Sequence, residues 1–175
     1  MESNELETYR QQLKHLGEGG DLRSIGISNA IATLTDGQEK FDELFRCLFS
    51  PDRKTVMRAA DAVEKVSIIQ PDFLQKHAPE ILRLCRDAEQ MELKWHLALL
   101  LARVRWSKND LQTVRIWLVN RAADPSESKI VRVNALQGLS ALLEQDANRG
   151  QFLTLLDQVE SENIPSLNAR IKRLR

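Results

Sequence analysis

All three tryptophans of this 175-residue chain fall in one stretch, KWHLALLLARVRWSKNDLQTVRIW at 94–117, at positions 95, 106 and 117. Six basic side chains, counting His96, share it with one acid, Asp110. Indoles interleaved with cations can stack bases and neutralise phosphates, so nucleic-acid binding is the first chemistry this spacing offers. The same indoles at helical spacing also serve as packing groups between helices. Other reactive groups are scattered. His15, His77 and His96 lie far apart and lack the i, i+4 pairing of a helical zinc site. None sits near a serine or cysteine in a nucleophile signature. Cys47 and Cys85 each lie in an apolar periodic stretch, which predicts buried free thiols rather than a disulfide or a metal site. The carboxylate pairs Asp42-Glu43 and Glu89/Glu92 fall on polar faces or linkers, where solvation accounts for them. The expectation is a non-catalytic chain with no metal and no cofactor.

The bulk numbers agree with that restraint. Apolar content of 42% with 29% charged residues belongs to a globular chain, long enough to bury most of the surface its unfolded form exposes. The opening MESNELETYR has no apolar block and predicts no secretory signal, and no apolar run approaches the roughly 20 residues that span a bilayer. A cytoplasmic protein without a membrane partner is expected. Net charge is zero, but unevenly spread. Residues 1–93 hold 12 basic and 17 acidic side chains, residues 94–121 hold 6 and 1, and residues 122–175 hold 7 and 7.

Apolar residues recur at helical spacing almost throughout, as in Phe41/Leu44/Phe45/Leu48 and Phe152/Leu155/Leu156/Val159. No stretch alternates as a strand does. About ten helices are predicted, near 4–15, 22–34, 38–49, 52–68, 72–87, 91–105, 110–122, 127–144, 148–160 and 165–174. Asp36-Gly-Gln-Glu39 and Asp124-Pro-Ser-Glu127 match an N-cap acceptor with a carboxylate at N3, and Pro125 and Pro51 suit first turns. LGEGGD at 16–21 lacks the Gly-Lys-Ser/Thr of a phosphate loop and reads as a turn.

A shift of 38 residues superposes three of these helices. Met57, Trp95 and Val133 align, then Arg58, His96 and Asn134, and later Val63, Leu101 and Leu139. A two-helix unit at this period is the mark of an α-solenoid, in which no unit buries its apolar face alone. The chain here resembles the HEAT-repeat family of the armadillo-like class. HAPEILRLC at 77–85 is similar to that family's first helix, with Pro79 at its bend. Asp124 followed by IVR at 130–132 and NAL at 134–136 resembles the segment that opens its second helix. The resemblance implies an all-α, right-handed α-α superhelix of short antiparallel helices without a β-sheet. It also implies an Asp–Arg ladder that Asp124 and Arg132 can join; Lys94 keeps a cation at the Arg132 position, whereas Val56 does not. A single domain over 1–175 is expected, with divergent helices at 1–37, repeats at 38–160 and a capping helix at 165–175.

On a helical wheel Leu93, Leu97, Leu100, Leu101 and Val104 form one stripe, and Trp95, Leu99 and Trp106 a second. A helix apolar on two faces is buried by two neighbours, so Trp95, Trp106 and Trp117, beside Leu111, Val114 and Leu118, are expected to pack between repeats. A solvent-facing stacking platform is the alternative. His96 and Arg103 sit between the stripes, and their counterparts are Arg58, Lys65 and Asn134. If second helices line a concave face, these five make a polar ridge for an extended anionic or acidic partner; an ordinary solvated face is the other reading. The basic last helix, with Arg170, Lys172, Arg173 and Arg175, reads as a cap or as a tail contacting phosphate. The leading functional expectation is a scaffold that binds another protein on its concave face. Nucleic-acid binding through 94–121 is the alternative, followed by a HEAT-like DNA glycosylase with an aspartate such as Asp61 in its site. Oligomeric state is not legible.

Overall fold

The structure, a computed structural model, describes residues 2–21, 26–145 and 148–175. These residues form eleven α-helices and two short 3₁₀ turns, and no strand occurs among them. The chain divides into two compact units, residues 1–76 and 77–175.

The first unit holds α1 (Glu2–Lys14), α2 (Ser28–Leu34), α3 (Gln38–Arg46), α4 (Arg53–Ile69) and α5 (Pro71–Gln75). Helix α4 is the pillar, with α2 and α3 packed on it. Its small residues Ala59, Ala60 and Ala62 are fully buried and let those neighbours approach closely. Phe41, Leu44 and Phe45 complete the interior, with the Phe41 ring 5.8 Å from that of Phe73 and 6.3 Å from that of Phe45. Tyr9 of α1 is buried; its hydroxyl donates to Thr35 Oγ1 at 2.7 Å, which in turn donates to the Ile31 carbonyl.

The second unit holds α6 (Ala78–Asp87), α7 (Met91–Leu100), α8 (Lys108–Ala123), α9 (Lys129–Leu142), α10 (Arg149–Glu160) and α11 (Pro165–Leu174). Helix α9 is its centre and packs against α7, α8 and α11. The stripe Leu93, Leu97, Leu100, Leu101 and Val104 is buried against it, and so are Leu167 and Ile171 of the last helix.

Helices α4, α7 and α9 begin at Arg53, Met91 and Lys129, 38 residues apart. Several boundaries differ from expectation. The stretch 72–87 is two helices, because the chain breaks at Lys76-His77 before Pro79, whose ring cannot continue a preceding turn. Helix α2 begins at Ser28; residues 22–25 of the expected helix lie outside the described residues. The expected caps also shift. Gly37 rather than Asp36 precedes α3, and Asp36 pairs with Lys40 at 2.8 Å. Asp124 accepts from the amide and hydroxyl of Ser126, closing a turn around Pro125, and Ser128 caps α9 by accepting from the Val131 amide. Both residues can cap a helix; the turn-forming Asp-Pro-Ser sequence claims the first and leaves the second for α9.

Candidate interaction surface

The five residues expected to form a polar ridge do not form one open face. Arg58 is fully buried in the first unit. Its guanidinium donates to the carbonyls of Leu16 at 2.7 Å, Glu18 at 2.5 Å and Gly19 at 2.6 Å, so it ties the turn after α1 to α4. A turn leaves carbonyls without helical partners, and a planar five-donor cation satisfies several at once. Gly26 lies over the same guanidinium: with φ at 52°, it takes a left-handed conformation, and a Cβ there would sit 2.8 Å from the Arg58 Cζ. Arg58 is therefore corrected from a ridge residue to an internal staple. Lys65 is partly exposed; it pairs with Asp61 and donates to Asn29 Oδ1 at 2.5 Å, while Asp61 also accepts from the Ser28 hydroxyl.

In the second unit His96 is buried, its ring 5.5 Å from that of Trp95. Asn134 of α9 donates to the Trp95 carbonyl at 3.1 Å. The structure thus gathers His96, Trp95 and Asn134 into a clasp between α7 and α9 instead of laying them along a surface. Arg103 is half-buried in the 3₁₀ turn that follows α7.

The tryptophans are half-buried. The Trp106 indole N–H donates to the Leu101 carbonyl at 2.7 Å, and that of Trp117 to the Cys85 carbonyl at 2.8 Å. The Trp106 amide donates to Gln145 Oε1, whose own Nε2 donates to the Val104 carbonyl, so Gln145 bridges the end of α9 to the segment after α7. Arg121 lies over the Trp117 ring, 5.4 Å from its centroid. An indole whose polar edge is already bonded to backbone is fixed as a packing element.

The cations of the resemblance also settle into structure. Arg132 is 1% exposed and forks onto Glu162 at 2.6 and 2.7 Å while donating to the Ala122 carbonyl. Lys94, its counterpart 38 residues earlier, reaches Glu127 at 3.2 Å, and Arg121 reaches the same carboxylate at 3.3 Å. Arg132 therefore takes a glutamate as its hydrogen-bonded acid, and Asp124 serves its own turn. Burial raises the Glu127 carboxyl, but the Ser128 amide, Lys94 and Arg121 outweigh it and leave the group below its ordinary value. Arg132 holds Glu162 down likewise against a smaller opposing effect of burial.

Cys47 and Cys85 are free, and burial pushes their thiols up to about 11 and about 12. At neutral pH both stay protonated, the unreactive form. Among the described residues no group of three or more His, Cys, Asp or Glu is placed to hold a metal, and no helix is long and apolar enough to cross a membrane.

Sequence reasoning did not find two surfaces of the second unit. One is an apolar cleft of about 130 Å³ among α8, α9 and α10, lined by Leu139, Leu142, Phe152 and Leu155 with Arg115 and Gln151 bonded to each other beside it. The other is a groove between α9 and α11, lined by Lys129, Ile130, Val133, Ala169, Arg170 and Arg173. The basic composition of the last helix was its only signal. No protein-family model, curated protein or solved structure shows a significant match to the chain.

Proposed function

We propose that the chain is a HEAT-like helical-repeat module, a right-handed superhelix in the manner of that family, which binds another protein and performs no chemistry of its own. The repeat draws support from the starts of α4, α7 and α9 at a period of 38 and from the matching cation–glutamate pairs of Lys94 and Arg132. The observation that carries the binding role is an inversion. Side chains with chemical potential, Arg58, His96 and Cys85, are inside, while Ile68, Ile69, Ile116 and Ile130 are 63%, 77%, 50% and 45% exposed. Fully burying an exposed aliphatic side chain is worth about 1.5–3 kcal/mol, and the exposed part of each isoleucine gains its share of that, so a partner that covers the isoleucines of either unit is bound by ordinary apolar contact. The same reading places the protein in the cytoplasm, where free thiols stay reduced.

Affinity capture of the tagged chain from its native cells, with and without nuclease, tests this. A protein retained in fixed stoichiometry after nuclease treatment is the expected outcome. Retention of nucleic acid alone, released by nuclease and by salt, would move the function to the 94–121 segment and overturn the proposal.

A further inference from the structure

Helix α11 buries Leu167 and Ile171 and turns Ser166, Ala169, Arg170 and Arg173 the other way, at i, i+3, i+4 and i+7. Facing them, the first turn of α9 supplies Lys129 and Ile130, followed by Val133. The groove between the two helices has a volume of about 400 Å³. Its apolar lining is Ile130, Val133 and Ala169, and its three charges are all positive. Among the described residues no carboxylate lines it. Arg170 donates to Gln137, a neutral acceptor, and Lys129 and Arg173 have no carboxylate partner among the described residues. Several cations elsewhere in this unit do meet acids: Lys94 and Arg121 share Glu127, Arg132 holds Glu162, and Arg175 reaches both Asp157 and Glu160.

We infer that this groove docks an acidic amphipathic segment of a partner protein, an inference that rests on the interaction-module reading. Uncompensated cations around aliphatic side chains call for a ligand with carboxylates flanking an apolar residue. A helix with apolar anchors at i and i+3 or i+4 and glutamates beside them has that form. A phosphate backbone would use the cations but gain nothing from Ile130 and Val133, and a basic segment would be repelled.

The probe is a fluorescein-labelled, helix-forming peptide of leucine and glutamate at helical spacing, titrated with the full chain by fluorescence anisotropy. Its scrambled sequence, its lysine-for-glutamate counterpart and a single-stranded oligonucleotide of equal charge accompany it. The acidic amphipathic peptide should bind, the scrambled one about tenfold more weakly, and the lysine peptide not at all. K129E/R173E should weaken the acidic peptide about tenfold or more, and Ile130→Ser should weaken it severalfold at every salt concentration. All three positions are exposed, so circular dichroism of the variants should match that of the parent. Absence of peptide binding, or binding unchanged in both variants, would overturn the inference. So would oligonucleotide binding as tight as the peptide's and indifferent to Ile130→Ser. If the groove fails while the parent chain still captures a protein from native cells, the interaction module stands without this site; if nothing is captured, the module itself falls.

Discussion

At Gly138 the absence of a side chain sets how close two helices come. A Cβ added there would lie 2.3 Å from the Ala98 carbonyl oxygen, a backbone atom of α7 that cannot swing away. The same atom would meet Leu118 of α8 at 3.4 Å, so the position is pinched from two sides. Alanine ordinarily gains about 0.5–1 kcal/mol over glycine inside a helix. Separating α7 from α9 to admit a methyl group forfeits packing that costs about 1–3 kcal/mol, and the Asn134–Trp95 clasp would loosen with it. Gly138→Ala should therefore lower stability by about 1–2 kcal/mol. Urea unfolding followed by tryptophan fluorescence measures this, because all three tryptophans lie in the same unit. A variant as stable as the parent would mean that α7 and α9 are not in this contact.

Between elements, the Arg132–Glu162 pair joins α9 to the turn before α11, and its two ends differ in exposure. The arginine side chain is 1% exposed and the glutamate side chain 26%. Removing the glutamate strands a buried cation, whereas replacing the arginine by leucine leaves an acid that water can reach. Glu162→Ala should cost about 2–3 kcal/mol and Arg132→Leu about 1 kcal/mol, the latter mostly for the orphaned Ala122 carbonyl. Thermal denaturation of the two variants checks the order; the reverse order would refute the asymmetry. This pair also marks how far the sequence could be read. The starts of α7 and α9 were legible because two-faced apolar stripes and a 38-residue period repeat the same instruction. The resemblance implied Asp124 as the acid for Arg132; that the hydrogen-bonded acid is Glu162 was not legible, since the pairing spans 30 residues and one further helix. Arg58 shows the same limit more sharply. Its 38-residue counterparts suggested a ridge, but its partners are carbonyls of a turn, which every residue type supplies and no pattern reveals. The α9–α11 groove was not legible because two of its three charges come from α11, more than 40 residues along the chain from Lys129.

Across the whole molecule, acid and alkali act through different groups distributed over both units. In the first, Glu43 is raised by burial but brought below its ordinary value by Arg10 and Arg46, and Asp52 is lowered by the hydroxyl and amide of Thr55. In the second, Glu127 and Glu162 are lowered as described. A carboxyl whose folded value lies below its unfolded value stabilises the fold at any pH above the unfolded value, about 4. That stability is lost as the pH falls through the folded value, because the unfolded chain takes up protons first. The thiols work in the other direction. Unfolded, they ionise near pH 8.5, while in the fold burial defers ionisation to about 11 for Cys47 and about 12 for Cys85, so stability falls as pH rises above roughly 8.5. The melting temperature should thus be level near neutrality, fall on the acid side below about pH 4.5, and fall again between about pH 8.5 and 10. Replacing both cysteines by alanine should flatten the alkaline limb alone, and Glu127→Gln with Glu162→Gln should shallow the acid limb in the tryptophan signal, which follows the second unit. An acid limb unchanged by the glutamine pair would show that these carboxylates are not held by their partners. Burial also keeps the Tyr9 phenol neutral, but its unfolded value is about 10, so an alkaline limb that survives loss of both thiols below about pH 9.5 would show that Cys47 and Cys85 are not the groups responsible there.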